Sequence, residues 1–222
     1  KAFMTQSNSD RIWYFVRHGE TEWNAERRMQ GQWDSRLSEN GIRHADTNGK
    51  WLASQGVEHV WASPLGRVRQ TAELIGKHVP LAQNPVWDDR LKEWSSGDWS
   101  GELYADIRTK YPDQWQSWMD DRYGYRPPNG ENFEDLEVRS DSFLAEAAEH
   151  PSRVRAILAH GFIIRVMVGR LAGLTPDDVL SVKQTNETVI RARETAIGIG
   201  LDHFVAGEGP FPGLPRGEQG AA

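Results

Sequence analysis

Histidine and arginine gather at three short segments whose spacing suits phosphoryl chemistry. Arg17-His18-Gly19-Glu20-Thr21 follows the apolar run 12–16, with Asn24 a few residues on. His160-Gly161 follows a second apolar run, 154–159, and a third, 57–62, ends in Ser63-Pro64 ahead of Arg67. Imidazole is a nucleophile and proton carrier near neutral pH, and guanidinium grips phosphate oxygens in a planar fork. Taken singly, His160 would pass as a hydrogen-bonded structural histidine and Arg67 as a solvated arginine. Together, two imidazoles and two guanidiniums surround one crevice, and converging unpaired cations are costly unless an anion meets them. The combination predicts a phosphate pocket. His44, His59, His78, His150 and His203 read as structural residues of helices or surface turns.

The segments that must position these groups have clear periodicities. Ile12-Trp-Tyr-Phe-Val16 is aromatic and β-branched, the pattern of a buried parallel strand, and 57–62 and 154–159 repeat it. Helical spacing follows each of the latter two: Leu65, Val68, Ala72 and Ile75 within 64–78, and Ile163, Ile164, Val166, Met167 and Leu171 within 161–172. Strand, loop and helix in repetition predict an α/β three-layer sandwich with a mostly parallel central sheet, whose ligands sit beyond the strand ends. The start of the 161–172 helix can face an anion. Ser38 is placed to cap a helix running to about residue 54, with Gly56 as its stop. Runs at 188–191 and 196–201 read as strands added at an edge. Between 113 and 130, with Trp115, Trp118, Tyr123, Tyr125, Pro127 and Pro128, no period persists, which predicts an irregular substrate-covering lid within 102–137.

The 222 residues accommodate one large domain, taken as 11–206 between a disordered leader, 1–10, and a flexible tail, 207–222, with five glycines and three prolines. With 26 basic and 32 acidic residues the net charge of -6 disfavours nucleic-acid or membrane coating. Zero cysteines exclude disulfides, thiolate metal sites and a cysteine nucleophile, and leave both cytoplasm and periplasm open; the cytoplasm is the working expectation. No apolar stretch approaches the roughly 20 residues of a membrane span.

The segment Phe15-Val-Arg-His-Gly-Glu-Thr-Glu-Trp-Asn24 resembles the signature of the histidine phosphatase superfamily, the phosphoglycerate-mutase-like fold. The similarity continues through Arg28-Met-Gln-Gly31, Leu37-Ser-Glu-Asn-Gly41, Ser63-Pro-Leu-Gly-Arg67, Arg90-Leu-Lys-Glu93, Gly97-Asp-Trp99-Ser-Gly101, Pro128-Asn-Gly-Glu131 and His160-Gly161, covering roughly 11–202. It implies that His18 is the nucleophile that becomes phosphohistidine, with Glu93 as proton donor and His160 as the second catalytic histidine. It places Arg17, Arg67, Asn24, Gln30, Gly31 and Gly161 around the phosphate, Asn24 holding His18 or the phosphoryl oxygens. The chemistry needs no metal and no cofactor. Arginines beside His18 should keep its imidazole neutral and match charge on the transferring phosphoryl group, while a nearby anion should raise Glu93 toward the protonated form. Ala159 and Trp94-Ser95-Ser96 depart from the family pattern, which bears on hydrogen bonding and leaving-group choice.

Mutases of this superfamily carry a longer insertion before the second histidine and basic residues for a second phosphate. Residues 113–137 hold seven acidic and two basic side chains, so hydrolysis of a small substrate carrying one phosphate is the favoured expectation. A phosphoglycerate mutase is the alternative enzyme, and a phospholigand or phosphoprotein binding module the alternative of another class. A homodimer is left open.

Overall fold

The computed structural model describes residues 10–216, so all of the expected leader except Asp10, and tail residues 217–222, lie outside the described residues. The first apolar run forms β1 (Arg11–Arg17); a one-turn helix, α1 (Glu22–Ala25), and the Ser38-capped α2 (Glu39–Leu52) follow. The second run gives β2 (His59–Ala62) and α3 (Gly66–Gly76), then a two-residue strand, β3 (Val86–Trp87). Two helices, α4 (Tyr104–Lys110) and α5 (Pro112–Asp120), precede the long α6 (Phe133–Ala148). The third run is β4 (Val154–Ala159), followed by α7 (Gly161–Ala172) and α8 (Pro176–Ser181). Three strands close the described chain: β5 (Thr188–Thr195), β6 (Gly198–Val205) and β7 (Glu208–Pro212).

The strands form one sheet in the order β3-β2-β4-β1-β5-β6-β7. Side chains alternate across it, as the two-residue strand period requires. Trp13, Phe15, Trp61, Ile157 and Ala159 enter the core shared with residues of α6 and α7; Tyr14, Val16, Val60, Ala62, Ala156 and Leu158 enter the core shared with residues of α2 and α3. With helices on both faces, β1, β2 and β4 need apolar residues at successive positions, which is why they read as unbroken runs.

The α/β class holds, but the sheet is only half parallel: β3, β2, β4 and β1 run together, while β5, β6 and β7 join antiparallel. β5 is not an edge strand; it pairs with β1 on one side and β6 on the other. The expected tail is structured through 216. β7 pairs with β6, Phe211 packs on His203 at 5.5 Å, His203 Nδ1 meets the Gly213 carbonyl at 2.8 Å, and Arg216 pairs with Asp178 at 2.9 Å. Poor local propensity is overridden because a neighbouring strand supplies the backbone partners. His59 and His203 sit on strands, not in helices or turns. The stretch 113–130 contains most of α5, whose Trp118 is buried against Trp94, Trp99 and Trp115.

Candidate active site

β1 and β4 deliver His18 and His160 to the same end of the sheet, because they are parallel neighbours in register from Ile12 with Val154 to Arg17 with Ala159. The two imidazole rings lie 5.1 Å apart, nearly edge to face. The turn after β1 is pinned by close backbone contact with the start of α2. A Cβ on Gly19 would fall 2.2 Å from the Gly41 carbonyl oxygen, and one on Gly41 would fall 1.9 Å from the Glu20 carbonyl oxygen. Only glycine fits at either position. Thr71 on α3 accepts from the Gly19 N–H at 3.0 Å, and Asn186 donates to the His18 carbonyl at 2.7 Å.

His18 is 3% exposed, and its partners dictate one neutral tautomer. Nδ1 lies 2.7 Å from the Gly19 carbonyl, which can only accept, so Nδ1 carries the proton. Nε2 lies 3.2 Å from Arg67 Nε, which can only donate, so Nε2 presents its lone pair. Burial first, then Arg67 and Arg17, holds the ring's pKa well below the ordinary histidine value. His160 is fully buried and is likewise held neutral by burial, Arg67 and His18. Its Nε2 is 2.7 Å from Ser63 Oγ, and its Nδ1 is buried without a hydrogen-bond partner among the described residues.

Arg67, 1% exposed, is fixed by Asp34 at 2.8 Å and by the carbonyls of Trp33 and Gly31, each at 2.7 Å. Gly31, at φ +53, is therefore an anchor for Arg67 as well as part of the cleft wall. Arg17 is tethered through Nη1 to the Gln184 carbonyl at 2.8 Å, while its Nε is buried without a hydrogen-bond partner among the described residues. A Cβ on Gly161 would stand 3.5 Å from the Arg17 guanidinium carbon, so glycine keeps that face uncovered.

Asn24 and Gln30 line the cleft, and among the described residues neither hydrogen-bonds to His18. They knot around Thr21: Asn24 Oδ1 accepts from the Thr21 N–H at 3.1 Å, and Gln30 donates to Thr21 Oγ1 at 2.7 Å while accepting from Ser35 at 3.2 Å. Of the two roles expected for Asn24, a hydrogen bond to His18 is not made among the described residues, because Gly19 and Arg67 already face both ring nitrogens; a hold on phosphoryl oxygens stays open to it. Its amide NH2 faces no described hydrogen-bond partner.

Glu93 comes from a different element yet reaches the same cleft. Its carboxylate accepts from the Phe162 and Ile163 N–H groups at 3.2 Å and from Trp94 N–H at 2.9 Å. The N-terminus of α7, expected to be able to face an anion, holds this carboxylate, a favourable pairing of anion with helix dipole.

Residues 13–204 match the family model of the histidine phosphatase superfamily (branch 1). The chain belongs to that superfamily. A probable phosphoglycerate mutase GpmB of Yersinia pestis (strain Pestoides F) is 38% identical over 163 residues, 72% of this chain and 74% of that protein. A mycobacterial glucosyl-3-phosphoglycerate phosphatase in complex with VO3 superposes with a TM-score of 0.74 at 29% identity, over 82% of this chain and 92% of that one. The α-ribazole phosphatase of Shigella flexneri shares the fold, with a TM-score of 0.80 at 22% identity, over 92% and 100% of the two chains. Family and neighbours support phosphatase activity.

Within this histidine phosphatase fold, several contributors escape the motif. Arg139 on α6 donates to the Arg90 and Lys92 carbonyls, each at 2.6 Å, to the Glu93 carbonyl at 3.1 Å and to the Glu131 carboxylate at 3.2 Å. It clamps the backbone that carries Glu93, and no local signal marks it. The cleft, about 620 Å³, is lined by Arg17, Arg27, Arg28, Arg67, Arg108 and Arg165 against one carboxylate, Glu93. The acidic count of 113–137 conceals this: the acids of α5 are exposed, and of the expected lid's Trp115, Trp118, Tyr123 and Tyr125, Trp115 lines the cleft. Trp118 and Tyr125 instead pack on Trp99, and Tyr123 donates to Glu137 at 2.6 Å. No helix among the described residues is long and apolar enough to cross a membrane.

Proposed function

We propose that this chain is a metal-independent phosphomonoesterase that transfers the phosphoryl group of small phosphorylated metabolites to His18 and then to water. The observation that carries the reading is the His18 tautomer, with Nδ1–H tied to a carbonyl and the Nε2 lone pair set beside Arg67. Such a ring is a ready nucleophile at neutral pH without a separate base. As Nε2 bonds to phosphorus, its lone pair is consumed and the Arg67 Nε–H is released toward a phosphoryl oxygen. Arg17 Nε and His160 Nδ1, buried without hydrogen-bond partners among the described residues, are further donors for the equatorial oxygens when His160 takes the tautomer protonated at Nδ1. Donors fixed by the protein before reaction lower the barrier electrostatically.

Glu93, held on the other wall, protonates the departing alkoxide and then takes a proton from the water that attacks phosphohistidine. Both steps conserve protons on one carboxyl group. Arg139 positions Glu93 without touching substrate. The test is a phosphate-release screen over aryl and sugar phosphates with EDTA present, with His18→Ala as control. Release by the parent chain, an acid-labile phosphoenzyme after quenching and loss of both in the variant are expected. No release, or abolition by EDTA, would refute the reading.

The name of the 38%-identical relative favours a second reading, phosphoglycerate mutase. Bisphosphoglycerate-dependent interconversion of phosphoglycerates without net phosphate release would establish it.

A further inference from the structure

The peptide unit joining His18 to Gly19 is held at both ends by side chains from distant parts of the chain. Its carbonyl accepts from the Asn186 amide at 2.7 Å, and its N–H donates to Thr71 Oγ1 at 3.0 Å. Thr71 spends its own proton on the Arg67 carbonyl at 2.8 Å, so toward Gly19 it acts as acceptor. In a trans peptide the two groups point in opposite directions, and the two contacts therefore grip the unit from opposite sides. The next carbonyl along, that of Gly19, lies 2.7 Å from His18 Nδ1 and fixes both the tautomer and the rotation of the ring. Where that carbonyl sits depends on the tilt of the His18–Gly19 peptide, which glycine by itself leaves soft.

Asn186 belongs to residues 183–187, between α8 and β5, and that segment is itself braced. The Asn186 carbonyl accepts from Asn48 on α2 at 3.2 Å, and Glu187 meets His44 of α2 at 2.8 Å. Gln184, 2% exposed, donates to the Phe15 and Thr188 carbonyls at 3.0 and 2.9 Å, while its own carbonyl holds Arg17 at 2.8 Å. The Lys183 N–H donates to the Pro215 carbonyl at 2.8 Å. None of 183–187 is among the described residues that line the cleft. We infer that Asn186 is a positioning residue for phosphoryl transfer: its amide sets the His18–Gly19 peptide, and through the Gly19 carbonyl it keeps the Nε2 lone pair of His18 aimed at phosphorus. Without that amide the His18 carbonyl loses its partner, the peptide turns about the Thr71 contact, and the Gly19 carbonyl draws away from Nδ1.

This role rests on the phosphatase reading, so the experiment judges the two apart. Phosphoenzyme formation from phenyl phosphate is followed in single turnover for the parent chain, Asn186→Ala, Thr71→Val and Thr71→Ser. Long-range 1H–15N imidazole spectra of the parent and Asn186→Ala are recorded without substrate. Misplacing a reacting group by about 1 Å can cost about a hundredfold, so Asn186→Ala should lower the saturating rate at least about tenfold and leave the half-saturating concentration within about twofold. Its His18 Nδ1–H signal, sharp in the parent, should broaden or vanish. Thr71→Val should slow the step and Thr71→Ser, which keeps the hydroxyl, should restore it; this pair reads the same peptide if Asn186→Ala fails to fold, and equal rates in the two would then overturn the role. A saturating rate in Asn186→Ala within about twofold of the parent overturns it too, as does a higher half-saturating concentration at an unchanged rate, which would mean substrate binding. A parent chain that forms no phosphoenzyme refutes the phosphatase, and the spectra, which need no turnover, then decide whether Asn186 sets the ring.

Discussion

Two buried neutral histidines make the fold sensitive to mild acid in a way that can be calculated. His18 and His160 are 3% and 0% exposed, and burial together with Arg67 holds both pKa values well below the ordinary 6.5. The unfolded chain binds protons on these rings as pH falls through 6.5, whereas the folded chain does not, so stability is full above 6.5 and lost below it. Between pH 7.5 and 5.5 the linkage amounts to about 1.4 kcal/mol per histidine, just under about 3 kcal/mol for the pair. Against a typical unfolding free energy of roughly 5–15 kcal/mol this is a large fraction. Urea unfolding followed by tryptophan fluorescence across that range, for the parent and His160→Gln, isolates one ring. The two stability curves should converge by about 1.4 kcal/mol on acidification. Parallel curves would show that His160 takes up a proton in the folded state over the same pH range as in the unfolded chain, and would refute the neutral-histidine site.

Gly41→Ala should lower stability by about 1–3 kcal/mol or more in urea unfolding, because its Cβ meets the Glu20 carbonyl at 1.9 Å, whereas Gly56→Ala, at φ +68 with open space around it, pays only backbone strain. Glu93→Gln should cut kcat by about 10²–10⁴ for alkyl phosphates and far less for 4-nitrophenyl phosphate, whose leaving group needs no proton; equal losses would remove Glu93 from the acid role. Arg139→Met should lower kcat for alkyl phosphates about tenfold while leaving KM within about twofold, since it acts by positioning Glu93. A rise in KM with kcat unchanged would assign it to binding.

Contiguous segments made much of the site legible. Three apolar runs foretold β1, β2 and β4, the helix after His160 spans Gly161–Ala172 as its spacing indicates, and the histidine and arginine clusters at strand ends do converge. Local order suffices there because strand alternation and helix period are set by neighbours within a few residues. Long-range pairing is different. Whether β5 lies inside the sheet or at its edge, and whether a Gly/Pro-rich segment becomes β7, depends on which strand offers hydrogen bonds, and nothing nearby in the chain records that. Side-chain direction is lost in the same way: a charge count made 113–137 an acidic lid, while the fold turns Arg108, Arg165 and Arg27 into the cleft and gives the α7 N-terminus to Glu93. The residue types give the expectation of phosphoryl chemistry at His18, whereas the balance of charge around the cleft exists only after packing, because it depends on which of many arginines keep a carboxylate partner and which do not.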